Sequence, residues 1–385
     1  MLLRSLRAAM VLLLSTVAAS CSAPGSDEGA VSGPGDPTVT DVQDAATLAS
    51  DLAGRFPDEA ERIDHIAERA AEAGSVTLYT ALNLAIIEPW VEAFEQRYPQ
   101  VEVEFVRLNS VPLVERLRSE AQAGRSETDV VVTPGLPLAE LWEDGLIAEH
   151  HGAPVPEDLP ERFVGDWAVT TYLTPEVVAW NTDRRTVAEP ITWDQLARGD
   201  LEGCAIFPQA DGIIAAVLAD RGEEAAGEWL DDFVATGAEP HETRSSVPPA
   251  LASGELDCTA DTFVHWVEDL RTEGAPVDWQ ALDPTPTTTS SVALHANAAR
   301  PYAALLLMHW LLGEEAAQVV ADSGRIPARP GLELDTSELE RFVDPDDALA
   351  ESSLLLTPEF MSESEATIRQ LREDHLGPLS GGRAG

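Results

Sequence analysis

From residue 75 to about 145, short apolar runs alternate with helix-periodic runs, and this alternation restricts the fold more than any other feature of the chain. "VTLYT" reads as a strand, and "LAIIEPWVEAFEQRYP" then sets Ile86, Ile87, Trp90, Val91 and Phe94 on one side of a helix. "VEVEFV" alternates as a half-buried strand does, and "VPLVERLRSEAQAG" is a helix stopped at Gly124. "DVVVT" is short and wholly apolar, as a buried parallel strand is, and "LAELWEDGL" is the next helix. A βαβαβ series of this kind predicts an open parallel sheet with helices on both faces.

A second series begins near Trp167. It runs through "VVAWNT" and "CAIFP", then helices "GIIAAVLADR", "EAAGEWLDDFVATG" and "VPPALASG", strand "LDCTAD" and helix "TFVHWVEDLRTEG". "DPTPTTTSSVALHANA" supplies an extended, Thr-rich crossing, followed by helices "PYAALLLMHWLLG" and "EEAAQVVADSG". Two α/β series joined by extended crossings predict an α/β fold of two lobes with a cleft between them. Ligands on such sheets sit beyond the carboxyl ends of the strands. The residues expected at the cleft are Thr80, Asn83, Thr133, Gly135, Tyr172, Asp211, Arg244, Ser245, Ser246, Asp261 and His265.

The charge excludes whole classes of partner. Sixty-eight Asp and Glu face 24 cations, all of them Arg, for a net charge of −44. Such a surface repels nucleic acid and anionic lipid. Adaptation to a salty medium, where screening makes high net charge tolerable, accounts for it; a cation-collecting field around a site is the functional alternative.

The N-terminus reads as an export signal over residues 1–20, with basic "MLLRSLR", apolar "AAMVLLLSTVAA" and small residues before Cys21. Cys21 resembles a lipobox cysteine, with Ala18 where that motif prefers Leu; ordinary cleavage and free secretion is the other reading. Residues 21–40 are Ser/Gly/Pro/Asp-rich and read as a flexible tether, 41–74 as an accessory helical segment, and 377–385 as a disordered tail. Cys204 and Cys258 form a candidate disulfide in an exported chain, or else two buried thiols.

The ordered segments "VTLYTALN", "IIEPWVEAFEQRYPQVEVEFVR", "LVERLRSEAQAG", "TDVVVT" and "GRIPARPG" together resemble the extracellular solute-binding proteins of bacterial ABC importers, in particular the ferric-iron-binding branch. The resemblance spans roughly residues 75 to 335. It implies a type II periplasmic-binding-protein fold, with one lobe over 75–168 and 285–330 and the other over 175–282 and 331–376. It also implies hinge closure on a solute and delivery to a membrane permease, with "TTYLTPE" and "PTPTTTS" as the crossings. Iron-binding members use a His in the first strand-end loop, a Glu after the third strand and a Tyr pair in the second lobe. Here Asn83 stands in the first loop, Pro134-Gly135 follows the third strand, and Thr262-Phe263-Val264-His265 follows "LDCTAD". Without phenolate, carboxylate or imidazole at those places, direct ferric coordination of the familiar type is not expected.

The implied ligand is therefore an iron(III) complex held through its chelator or a small polar organic ion, with no resident cofactor and no metal bound directly by the protein. Arg244-Ser245-Ser246 before a helix reads as an anion cradle or as a plain helix cap, and Asp211 as a cap or a partner for a cationic group. His265 beside Phe263 and Trp266 reads as a packed residue or a donor. No G-x-S-x-G, H-E-x-x-H or Gly-rich phosphate loop is present, so an enzyme is the weakest class. The expectation is an exported, cell-surface or periplasmic lipoprotein, monomeric, that binds solute and feeds a permease. A sensor that signals to a membrane partner would have the same fold.

Overall fold

The computed structural model describes residues 45–377, apart from 188–189, 200–202, 208, 242, 335–336 and 345–346. The export signal, the tether, Cys21 and nearly all of the C-terminal tail lie outside the described residues. Those described belong to one compact unit, Thr38–Gly385.

Two helices, α1 (Ala45–Arg55) and α2 (Glu59–Ala73), come first, parted at Pro57 and closed by Gly74 in the left-handed conformation. The first lobe then builds β1 (Ser75–Thr80), α3 (Leu84–Arg97), β2 (Glu102–Arg107), α4 (Ser110–Gln122), β3 (Val130–Pro134) and α5 (Gly135–Glu143). β2, β1 and β3 lie side by side and parallel. The chain crosses to the second lobe along β4 (Val169–Asn181). That lobe holds α6 (Trp193–Ala197), β5 (Ala205–Ile206), α7 (Asp211–Arg221), α8 (Glu223–Ala235), β6 (Glu239–Pro240), α9 (Val247–Ser253), β7 (Cys258–Phe263), α10 (Val264–Thr272) and β8 (Val277–Gln280).

The return crossing is β9 (Thr285–Leu294), followed by α11 (Pro301–Leu311), α12 (Glu314–Asp322) and β10 (Ile326–Pro327). Short helices α13 (Ser337–Glu340) and α14 (Ala348–Ser352) lead to β11 (Ser353–Leu356) and α15 (Pro358–Leu371), which ends in a π-helical turn. Strand order is β2-β1-β3-β9-β4-β7-β5-β6. The two crossings explain how one sheet serves two lobes. Residues 169–175 of β4 pair antiparallel with β9, and residues 176–180 pair antiparallel with β7. Glu176 is the first residue past the β9 pairing. It is where the strand changes lobe.

Burial follows the sequence pattern. Ile86, Ile87, Trp90 and Phe94 on α3 are buried against the sheet and α11–α12, and the Trp90 indole donates to Ala316 O at 2.9 Å. Each such side chain is worth roughly 1.5–3 kcal/mol when fully removed from water. "PYAALLLMHWL" is apolar almost all round, and a helix of that kind must be covered on every side. α1 and α2 supply the cover, packing on α11 with Leu48, Leu52 and Ile66 buried. The accessory segment is thus the outer wall of the first lobe's core. α15 packs on α5 of the first lobe and on α7 and α8 of the second, so the C-terminal segment spans both.

Candidate interlobe binding site

A cavity of about 220 Å³ lies between the lobes. Its first-lobe wall is Pro134 to Pro137, where β3 hands over to α5, and its second-lobe wall includes Phe207, Asp211, Gly212 and Arg244. The crossings contribute Glu176 and Thr288, and the C-terminal segment contributes Leu356 and Met361. The chain approaches itself closely here. A Cβ on Gly212 would lie 2.5 Å from the Glu176 carboxylate, and one on Gly135 would lie 2.5 Å from the Leu356 carbonyl, so glycine is the residue that fits at both.

Arg244 is the centre of the second-lobe wall. A 3-10 turn over Arg244–Ser246 carries it ahead of α9 and sends its side chain inward. Its Nη1 and Nη2 donate to the two oxygens of Glu176 at 3.1 and 3.2 Å, a fork-to-fork pair. Nη2 also lies 3.2 Å from Asp261 Oδ2. The guanidinium sits over the rings of Phe207 and Phe263, 5.3 and 5.1 Å from their centroids, at cation–π distance. Thr288 donates to Glu176 at 3.0 Å, and Phe207 N donates to Asp261 Oδ1 at 3.1 Å. Asp211, at the start of α7, pairs with Arg372 beyond α15. Three carboxylates therefore meet two guanidinium groups in this cluster.

Burial is the largest influence on the titration of Arg244, Asp261 and Asp211. It opposes the charge on Arg244, but Glu176 and then Asp261 more than offset it and hold that arginine protonated. Burial, with Glu176 adding to it and Arg244 opposing, pushes Asp261 up to about 7. Burial also raises Asp211 despite Arg372. His265 is pushed down to about 3 by burial, with Arg325 assisting, and stacks on Phe263.

Of the residues expected at the cleft, the structure brings Gly135, Asp211 and Arg244 to the cavity, with Asp261 directly behind Arg244. It does not bring the others. Thr80 is fully buried, and its hydroxyl accepts from Leu82 N at 3.1 Å. Asn83 is exposed and caps α3, accepting from Ala85 N at 3.0 Å. Strand β1 stops abruptly because these two side chains satisfy the turn and the helix start. Thr133 is buried within β3, and Tyr172 is buried edge-on to Trp90 at 6.5 Å.

The Arg244-Ser245-Ser246 cradle does not form. Both serines are exposed, and Ser246 donates to Thr243 O at 2.7 Å instead of capping α9. Arg244 points away from them because two buried carboxylates hold it. His265 is a packed residue outside the cavity lining. Cys204 and Cys258 are bonded as a disulfide between the second lobe's strands.

Residue reasoning missed Glu176, Phe207, Thr288, Leu356 and Met361. Glu176 had a legible signal, since it is the lone charge in the thirteen-residue strand "VTTYLTPEVVAWN". A carboxylate in a fully buried strand needs a partner. Among the described residues no group of His, Cys, Asp or Glu is arranged to hold a metal ion. Phe263 has no donor atom, and its ring is committed to Arg244, so the donors present do not fit a bare ferric ion.

The fold has many solved relatives. FutA of Trichodesmium, described with iron and citrate ligands, superposes at TM-score 0.66 with 18% identity, over 79% of this chain and 99% of that one. The ferric binding protein of Campylobacter jejuni superposes at TM-score 0.66 with 16% identity, over 78% and 99%. AfuA of Actinobacillus pleuropneumoniae, with fructose-6-phosphate bound, gives TM-score 0.60 and 19% identity, over 79% and 99%. Identities this low establish the two-lobed fold of periplasmic binding proteins and nothing finer. No curated protein matches the sequence. Among the described residues no helix is long and apolar enough to cross a membrane. The sequence model for bacterial extracellular solute-binding proteins matches residues 89–343, two-thirds of the chain, and the protein belongs to that family.

Proposed function

We propose that this protein captures a small polar organic solute in the interlobe cavity by hinge closure and hands it to the permease of an ABC importer, without catalysing a reaction. One observation carries the reading: a single cavity takes its walls from both lobes and both crossings, so a bound solute would favour the closed arrangement. Its volume suits a metabolite-sized ligand, below the roughly 300–1,000 Å³ of larger ligand pockets. Export through the N-terminal segment and lipid anchoring at Cys21 complete the proposal. They would tether the protein beside its permease through a membrane contact made by the lipid alone.

Thermal denaturation of the full chain tests it. A ligand present at about 100 times its dissociation constant adds roughly 2.7 kcal/mol, a shift of several degrees. The panel holds polyamines, amino acids, phosphonates, citrate and ferric citrate. A shift with one organic solute and a flat response to ferric citrate is the expected result. A shift with ferric citrate and not with citrate would overturn the organic-solute reading in favour of an iron chelate. A flat response throughout would contradict solute capture.

A further inference from the structure

The guanidinium of Arg244 is the group in the cavity wall that would ordinarily recruit a carboxylate or phosphate from solution. Its two terminal nitrogens are already engaged. Glu176 accepts from both terminal nitrogens, Asp261 lies against the second, and the rings of Phe207 and Phe263 lie at cation–π distance; of the guanidinium nitrogens only Nε has no hydrogen-bond partner among the described residues. Glu176 is itself fixed by the hydroxyl of Thr288 on the opposite crossing and packs against Gly212 with no room for a Cβ. The carboxylate is therefore built in from the crossings, where β4 passes from one lobe to the other.

An anionic solute entering this cavity would find the terminal nitrogens of Arg244 already paired with Glu176, with Asp211 on the same wall and a chain of net charge −44 around it. The second cation of the cluster, Arg372, is held by Asp211. Glu176 and Asp211 stand against the two guanidinium groups, and Asp261, at about 7, adds partial negative charge, so the cluster offers no net positive charge to draw an anion.

We infer that Glu176 is a specificity-determining residue: seated on the guanidinium of Arg244, it closes the interlobe cavity to anionic solutes and leaves it to small organic cations. This rests on the solute-binding reading above and deepens it. The reading of Arg244 as an anion cradle is replaced, since the protein's own carboxylate holds that place.

Isothermal titration of the wild-type chain, E176Q and the double variant E176Q/R244Q with citrate and with inorganic phosphate tests the inference. Glutamine keeps the shape of the side chain and removes its charge. Wild type should give no heat with either anion. E176Q should bind at least one of them at least about tenfold more tightly than wild type, equivalent to about 1.4 kcal/mol. The double variant should lose that gain, which ties it to Arg244. Should E176Q not fold, D261N releases the same guanidinium from its other partner and is expected to shift anion affinity in the same direction. Anion affinity unchanged between wild type and the folded variant would overturn the inference, and so would wild type that already binds citrate or phosphate tightly. Failure of the solute-binding reading is distinguishable, because it appears as wild type that responds to no probe in the thermal panel, whatever E176Q does.

Discussion

Replacing Arg244 with alanine lowers the unfolding free energy of the empty protein by about 3–5 kcal/mol, the range for removing one partner of a buried ion pair. The side chains left behind are Glu176 and Asp261, 3% and 1% exposed, with no other cation in contact with either among the described residues. Asp261 can take up a proton, since it already sits at about 7, whereas Glu176 is left a buried carboxylate without its cationic partner. Urea denaturation at neutral pH reads the loss as a lower midpoint with an unchanged slope. E176Q/R244Q should recover much of it, because position 176 then holds no unpaired charge and Asp261, at about 7, can take up a proton. A loss below about 1 kcal/mol for Arg244→Ala would show that water reaches the pair and screens it as a surface pair is screened. The sequence reading of Arg244 as part of an anion cradle or a plain helix cap gives no reason to expect such a loss. The buried carboxylates supply that reason.

Converting Cys204 and Cys258 together to alanine costs about 4 kcal/mol in the chain-entropy account of a closed loop, here one of 54 residues. Cys258 lies on β7, three residues before Asp261, and Cys204 directly precedes β5. β5 is only two residues long and pairs with β7 at Ala205 and Thr259, so its ladder alone is a weak tether. The bond fixes the strand edge from which Phe207 reaches Arg244. Loss of the disulfide should therefore lower the denaturation midpoint and also blunt any ligand-induced shift, which a core cysteine remote from the cavity would not do. A double variant as stable as wild type would mean that packing of the two buried sulfurs, and not the covalent link, holds β5 in place.

The strand and helix order was legible because its signals are local. Asn83 begins α3, Gly74 ends α2, and "DVVVT" has the composition of a strand covered on both faces. The cleft was legible only in outline. Gly135, Asp211 and Arg244 sit at strand-to-helix handovers, where the rule for open α/β sheets places ligands. Asn83 and Thr80 occupy a similar handover, yet the first helix uses them up as cap and turn.

The partner of Arg244 was out of reach for a different reason. Glu176 and Arg244 are 68 residues apart and meet only because β4 changes lobe at Glu176, a consequence of pairing register. Phe263 illustrates the same limit. Its lost hydroxyl was readable as lost iron chemistry, whereas its use as a face for a guanidinium needed the third dimension. Leu356 and Met361 come from a C-terminal segment that nothing in its local pattern ties to the cleft. The pairing of β11 with β9 and the packing of α15 on α5 and α7 bring it there.

Native mass spectrometry of the full chain, purified from cells that produce it without added chelator or metal, addresses the central claim most directly. The account predicts a species carrying one small organic molecule per chain, released on denaturation and lost when the lobes cannot close, with no iron retained. One iron atom per chain, alone or with citrate, would contradict it and return the cavity to metal chemistry.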